Sequence, residues 1–294
     1  MATLTFTVPS EYDGETIQTF LRQGHGFSSR MVVRLKHTEN GIMVNGEHRR
    51  SIDRIRTDDV LELRLPDDNI RVEPVDLPLS VVYEDDSLLV VDKPPYIAVH
   101  PSAFKPEPTL ASVVVGYYAK NGQSIAFRPT NRLDRNTSGL LLTAKNSHIA
   151  YTLAHKVEKT YLAIVLGRLE GKGVIQQPIR IKDGCTITRE VGAGGKPSCT
   201  HYEAVAGDGN ITLVKLHLET GRTHQIRVHM SWLGFPLAGD TMYGTDESVM
   251  PRHALHCSEM QFTHPLTGER MMLSSPLPTD MRECLMKHGL EADL

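Results

Sequence analysis

The alternation of apolar and polar side chains divides this chain into two unequal blocks. In the first, "GFSSRMVVRLK" sets Phe27, Met31, Val32 and Leu35 at helical spacing, with Ser28 or Ser29 placed to cap the helix. Arg30, Arg34 and His37 follow at i, i+4 and i+7 and share another face of that helix. "GIMVNGEHRR" puts an Asn-Gly pair after a short apolar run, a strong hairpin signal. "DDVLELRLP" alternates apolar with polar and ends at Pro66, which predicts a strand. Residues 66 to 80, "PDDNIRVEPVDLPLS", hold three prolines and four acids and predict a linker.

In the second block, "VVYEDDSLLVVDKPP" predicts two strands around an acidic turn. "TLASVVVGYYAK" and "SHIAYTLAHKV" predict helices, the latter opened by Ser147. "KTYLAIVLGRL" is a continuous apolar run with β-branched members and predicts a buried strand. "NITLVKLHLETGRTHQIRVHMSWLG" predicts a strand, a Thr-Gly turn and an amphipathic helix. These elements alternate without a regular βαβ rhythm, so the expected class is a mixed α+β sheet protein rather than a doubly wound one.

Length and charge refine this picture. With 294 residues the chain has room for more than one domain. The expected division is a small module at 1–67, a linker at 68–79 and a larger domain at 80–294. A formal net charge of −3 gives no global argument for a polyanionic partner. Between Arg22 and Arg56, however, eight basic residues face three acidic ones, a local balance of +5. The four cysteines are scattered without C-x-x-C spacing and read as free thiols in a reducing compartment. The first basic residue is Arg22, unlike the charged start of a signal peptide, and no apolar run approaches a membrane span. A cytoplasmic location with no membrane partner is expected.

The candidate chemistry centres on "RPTNRLDRNTSGLLLTAKN", where Asp134 sits between Arg132 and Arg135, just before the apolar run Leu140, Leu141 and Leu142. A carboxylate kept ionised by arginines can serve as nucleophile or base, or can simply close a loop as a structural ion pair. In "TGRTHQIRVH", a helical reading puts Arg222 and Ile226 on one face. His224 and His229 are five residues apart, a poor metal pair, and His253, His256 and Cys257 lack a persuasive fourth ligand, so no metal site is expected. Tyr161 opens its strand either as a core aromatic or as a flat face for stacking on a base. Neither a phosphate loop, a dinucleotide fingerprint nor a G-x-S-x-G elbow is present, and no cofactor is expected.

"NRLDRNTSGLLLTAK" closely resembles the catalytic motif of the RluA-type RNA pseudouridine synthases, H-R-L-D-x-x-T-S-G-L-L-L-x-A-K. "LLVVDKPPYIAVHPS", "KTYLAIVLG", "LETGRTHQIRVHMSWLGFPLAGDTMYG" and "RHALHCSEMQFTHPLTGE" resemble further motifs of that family, in its order, and together they cover about residues 80 to 280. The resemblance implies a mostly antiparallel central sheet with flanking helices, and isomerisation of uridine to pseudouridine in structured RNA, ribosomal or transfer. It implies Asp134 as the carboxylate that starts the reaction, Arg222 as its partner, Tyr161 stacked on the uracil, and Arg132 holding the flipped nucleotide or its phosphates. It also implies no cofactor or metal, and a monomer. The N-terminal block is similar to a small RNA-binding module of ribosomal proteins and tyrosyl-tRNA synthetases, which implies phosphate contacts at Arg30 and Arg34. One departure stands out: the family's histidine before R-L-D is Asn131 here. An asparagine forms hydrogen bonds but cannot titrate, so the position reads as loop-shaping. An inactive RNA-binding protein or RNA-folding factor of the same fold is the alternative.

Overall fold

Two large sheets carry the chain, each with its own apolar core. The structure, a computed structural model, describes residues 3–65, 70, 72–101, 108–154, 156–244 and 249–291. The smaller sheet is antiparallel in the order β1-β4-β2-β3, from β1 (Thr3–Thr7), β2 (Ile42–Val44), β3 (Glu47–His48) and β4 (Val60–Arg64). A short α1 (Ile17–Thr19) and α2 (Ser29–Lys36) pack on it. Ser28 caps α2 by accepting a hydrogen bond from the Met31 amide at 3.2 Å. Met31, Val32 and Leu35 are buried, while Arg30, Arg34 and His37 face solvent as their spacing predicts. Asn45 and Gly46 have φ of 51° and 81°, the two positive values that the tight β2–β3 turn demands.

The larger sheet runs in the order β5-β6-β7-β14-β8-β13-β12-β9, with β15 beside β14. Its strands are β5 (Val81–Glu84), β6 (Leu88–Lys93), β7 (Ser138–Ala144), β8 (Glu158–Leu166), β9 (Lys172–Ile175), β12 (Thr200–Gly207), β13 (Ile211–Leu218), β14 (Leu255–Thr263) and β15 (Arg270–Ser274). A separate ribbon pairs β10 (Ile179–Ile181) with β11 (Arg189–Val191). Around them lie α3 (Leu110–Lys120), α4 (Ser147–Leu153), α5 (Gln225–Trp232) and α6 (Thr279–Lys287). The α+β expectation holds. Asn146, rather than Ser147, caps α4, its side chain accepting from the Ile149 amide at 2.9 Å.

Among the described residues, one pairing between named strands is parallel, β7 with β14 (His256 opposite Ser138, Cys257 opposite Gly139). It explains the glycine after Thr137 and Ser138. A Cβ on Gly139 would lie 2.3 Å from the Cys257 carbonyl oxygen, and its φ is +106°. Only glycine permits that approach. It brings the turn ahead of β7, which carries Asp134, against the start of β14.

The proline-rich segment ahead of the second sheet is not a loose tether. Residues 66–69 and 71 lie outside the described residues, but the Val75 amide donates to the Ser112 carbonyl of α3 at 3.0 Å. Gly116 of α3 admits the Val75 carbonyl, where a Cβ would stand 2.2 Å away. The two bodies also touch directly: the Phe27 ring stacks on buried His148 with centroids 3.7 Å apart.

Gly139→Ala should cost about 3 kcal/mol or more, because strained φ and a backbone clash coincide. Urea denaturation measures it; a loss below 1 kcal/mol, on the order of an ordinary glycine-to-alanine change, would contradict the close β7–β14 approach.

Burial pushes His253 down to about 3 and His148 down to about 4, both from an ordinary 6.5. Each is neutral when folded but gains a proton below about 6.5 when unfolded, so stability is lost as pH falls from 6.5 toward 4. Replacing both with glutamine should flatten that decline by up to about 1.4 kcal/mol per pH unit for each residue. Identical urea midpoint slopes between pH 7 and 5 in parent and variant would refute it.

Candidate active site

The site forms where the turn before β7 meets the start of α5. In the turn, the Asp134 carbonyl accepts from the Thr137 amide at 3.1 Å. Fully buried Lys93 donates to the carbonyls of Pro94, Ile97 and Arg135 at 2.8, 3.0 and 3.0 Å, tying the β6 exit to the residue after Asp134. Burial lowers its ammonium to about 7, against the opposing pull of Asp134. Arg252, also buried, donates to the Asn136 carbonyl at 2.9 Å and is held by two hydrogen bonds to Asp280 at 2.7 and 2.9 Å. Thr137 and His253 share a 2.9 Å hydrogen bond. Asp134 is therefore presented by a turn anchored through its neighbours.

The charge facing Asp134 comes from Arg227. Its Nη1 donates to Asp134 Oδ2 at 3.1 Å, while Nε and Nη2 make a bidentate pair with Asp240 at 2.7 and 2.8 Å. The Asp240 side chain is fully buried, that of Arg227 is 7% exposed, and that of Asp134 is 26% exposed. Burial raises the Asp240 carboxyl, yet the Arg227 bonds and charge outweigh it and the net shift is downward. Burial likewise opposes the Arg227 charge, and the two carboxylates restore it with a net rise. The guanidinium lies over the Tyr243 ring, 5.0 Å from its centroid.

His224 stands between these groups in a left-handed conformation, φ +58°, which is uncommon for a side chain with a Cβ. Its Nδ1 pairs with the Tyr243 hydroxyl at 2.9 Å, and its Nε2 lies 3.9 Å from Asp134 Oδ2. Burial lowers its pKa against the pull of Asp134, which keeps the imidazole neutral. The cleft that results is lined by Arg132, Asp134, Tyr161, Leu218, Arg222 and Arg227 among others. It presents one partly exposed carboxylate over apolar walls, with cations at its rim.

Known proteins match this chain along most of its length. A family model described as RNA pseudouridylate synthase matches residues 87–232. A Bacillus subtilis protein named "Uncharacterized RNA pseudouridine synthase YjbO" is 37% identical over 270 residues, covering 88% of this chain and 95% of its own. "Ribosomal large subunit pseudouridine synthase D" of Vibrio parahaemolyticus is 33% identical over 303 residues, covering 95% and 92%. The chain belongs to the RNA pseudouridine synthase family. Among solved structures, "Human RNA Pseudouridylate Synthase Domain Containing 1" is 29% identical and covers 72% of this chain and 90% of its own, with a TM-score of 0.58.

As an RNA pseudouridine synthase the protein is an isomerase, and the resemblance drawn from its motifs holds. The cleft gathers Asp134, Arg132, Tyr161 and Arg222, all singled out in the sequence. Tyr161 belongs to the main core and also lines the cleft. Burial, and then the Cys257 thiol, raise its hydroxyl well above the usual range. The expected Arg222–Asp134 pair is corrected. Arg222 is exposed and its Nε donates to the Pro197 carbonyl at 3.1 Å. The physical reason is His224: its left-handed backbone delays α5 until Gln225, so Arg222 lies in the preceding turn and never joins the helix face of Ile226. Arg227 stands in the same basic segment and is the next candidate there after Arg222, whereas Asp240 carries no local signal. Asn131 is buried and bridges β7, its amide donating to the Leu140 carbonyl at 3.4 Å and its oxygen accepting from the Leu142 amide at 3.2 Å.

Arg227→Ala should cost about 3–5 kcal/mol, because it strands the buried Asp240 carboxylate. Arg222→Ala should stay within about 0.5 kcal/mol of the parent, as exposed substitutions usually do. Urea denaturation of the two variants side by side decides between them, and the reverse order would overturn the assignment of the pair.

Proposed function

We propose that Asp134 is the carboxylate that starts the uridine-to-pseudouridine exchange, in a nucleotide flipped out of structured RNA. The supporting observation is the Asp134–Arg227–Asp240 arrangement: a partly exposed carboxylate held from behind by a guanidinium that a second carboxylate fixes. The reaction breaks the bond from C1′ to N1 and forms one from C1′ to C5; the hydrogen at C5 leaves and N1 gains one, so composition is unchanged. An ionised aspartate can attack the base, attack the ribose or remove a ribose proton, and all three need it unprotonated. Tyr161 offers a face for the uracil, and Arg132 and Arg222 at the rim suit phosphates. Extracting a base costs a few kcal/mol, which such contacts offset. Ribosomal or transfer RNA is the substrate class, and the name of the Vibrio relative favours ribosomal RNA of the large subunit.

The N-terminal module adds RNA affinity without taking part in the chemistry. Arg30 and Arg34 are exposed on one face of α2. Arg34 lies near enough to Arg128 of the larger body to lower its pKa, after burial, so basic side chains of the two bodies stand close together.

Asp134→Asn should reduce turnover more than about a thousandfold while leaving fold and most RNA affinity intact. Tritium release from RNA labelled at uridine C5 reads this directly, and clear residual turnover would remove Asp134 from its role.

The double change Arg30→Ala, Arg34→Ala should weaken RNA binding and flatten its log–log salt slope by about one unit for each phosphate that is no longer neutralised. A chain beginning at Val72, which keeps the Val75 contact with α3, should shift the same way and retain slow modification. Binding isotherms at several salt concentrations test both. One shared affinity and slope for all three proteins would assign the module to stability or protein contact instead.

A further inference from the structure

The two faces of β13 do different things. Val214 and Leu216 point into the main core, and Leu218 lines the cleft. Ile211 and Leu213 pack on the opposite face against Met281 and Leu285 of α6. Lys215, His217 and Glu219 continue that second face beyond the helix, because strand side chains alternate. The antiparallel register sets His201 opposite His217 and Thr200 opposite Leu218, and the Glu219 amide donates to the Cys199 carbonyl at 3.3 Å. Cys199 and His201, two residues apart, therefore share a face with their cross-strand neighbours Glu219 and His217. A thiol, two imidazoles and a carboxylate stand in one block on the side of the sheet away from the cleft.

Three of these donors converge. Cys199 Sγ lies 3.7 Å from His201 Nε2, and Glu219 Oε1 lies 2.6 Å from the same nitrogen. All three atoms fall within 4.8 Å of one another. A tetrahedral zinc ion at ordinary bond lengths separates its sulfur and nitrogen ligands by about 3.6 Å and its nitrogen and oxygen ligands by about 3.4 Å. The sulfur–nitrogen distance already fits. The nitrogen–oxygen contact must open by roughly 0.8 Å, which the exposed Glu219 side chain can accommodate.

A nucleophilic thiol relay would be built differently. It needs the thiol on one imidazole nitrogen and the carboxylate on the other, so that a proton can be taken and the ring held. Here both approach Nε2. Donors that share one focus are what a cation organises.

We propose that Cys199, His201 and Glu219, with His217 as fourth donor, form a structural zinc site on the back of the β12–β13 pair. The His217 ring centroid lies 6.3 Å from that of His201. Buried Cys199 is the fixed anchor, and the exposed Glu219 leaves an entry path. Binding displaces the thiol proton and turns the unfavourable pairing of thiolate with carboxylate into shared ligation. The ion cross-links the ends of two strands at the root of the turn that carries Arg222. That turn is already tied to Cys199, whose amide donates to Thr220 Oγ1 at 3.0 Å and whose carbonyl accepts from Gln225 Nε2 at 2.9 Å.

The test uses untagged, full-length protein stripped with a chelator, then titrated with zinc against a chromophoric competitor and separately with cobalt(II). One equivalent should bind, with a thiolate-to-cobalt charge-transfer band and the visible bands of a tetrahedral ion. Cys199→Ser should abolish the charge-transfer band, and it and His201→Ala should each weaken zinc at least about a hundredfold. Glu219→Gln and His217→Ala should each weaken it about tenfold. Cys185→Ser, at an exposed thiol elsewhere, should change nothing. Glu219 is exposed, so its variant keeps the test decisive even if Cys199→Ser fails to fold. Absence of stoichiometric binding, or binding that survives both Cys199→Ser and Glu219→Gln, would overturn the site; unchanged affinity in His217→Ala would remove that residue from it.

Discussion

A guanidinium taken out of water must be met by acceptors on every side, and in this protein Arg227 is that guanidinium. Asp240 takes two of its donors and Asp134 a third, and the Tyr243 ring covers its face. Two carboxylates around one cation leave an excess negative charge. Asp240 is fully enclosed and doubly bonded, so Asp134 is the carboxylate of the two that opens to the cleft. The strained backbone at His224, the anchoring of the Asp134 turn by Lys93 and Arg252, and the glycine at 139 all serve to bring that pair together from residues distant in sequence. Moving any of them changes how Asp134 faces the cleft.

Much of this is legible in the sequence alone. Among the elements that periodicity marks, α2, β4, the β5–β6 pair, α3, β8 and β13 fall where it puts them, whereas β1, β9 to β12, β14, β15 and α6 carry no such signal. Asp134, Arg132 and Tyr161 stand out because they lie inside contiguous motifs. The partner of Asp134 is misplaced for a definite reason: periodicity says where a helix continues but not which residue starts it. A single left-handed residue, His224, shifts the boundary by several positions and replaces Arg222 with Arg227. Asp240 and the Cys199–His201–Glu219 group are hidden for another reason, because each depends on pairing across elements. A C-x-H spacing on a strand shows that two donors share a face. Only the register brings in a third.

The basic residues of the N-terminal module differ in how far they are engaged within it. Arg49 pairs with Glu47 and Arg50 with Asp53, while Arg54 is tied to the Gly14 carbonyl. Arg30 and Arg34 remain exposed on α2, and Arg34 lies near Arg128. Stacking of Phe27 on His148 fixes how that surface meets the larger body, so the module's orientation belongs to the fold as well as to its charge.

The parallel pairing of β7 with β14 also has a temporal consequence. Ser138 and His256, which share a 3.0 Å hydrogen bond across it, are 118 residues apart in sequence. The β5–β6 hairpin and the whole N-terminal module close through contacts that are nearer in sequence and can form early. The turn that bears Asp134 cannot be braced until β14 has been made. During synthesis, then, the growing chain passes through a stage in which the module and its exposed arginines are already folded but the turn of Asp134 has no Arg252 to hold it. The order of synthesis therefore separates the folding of the module from the completion of the cleft.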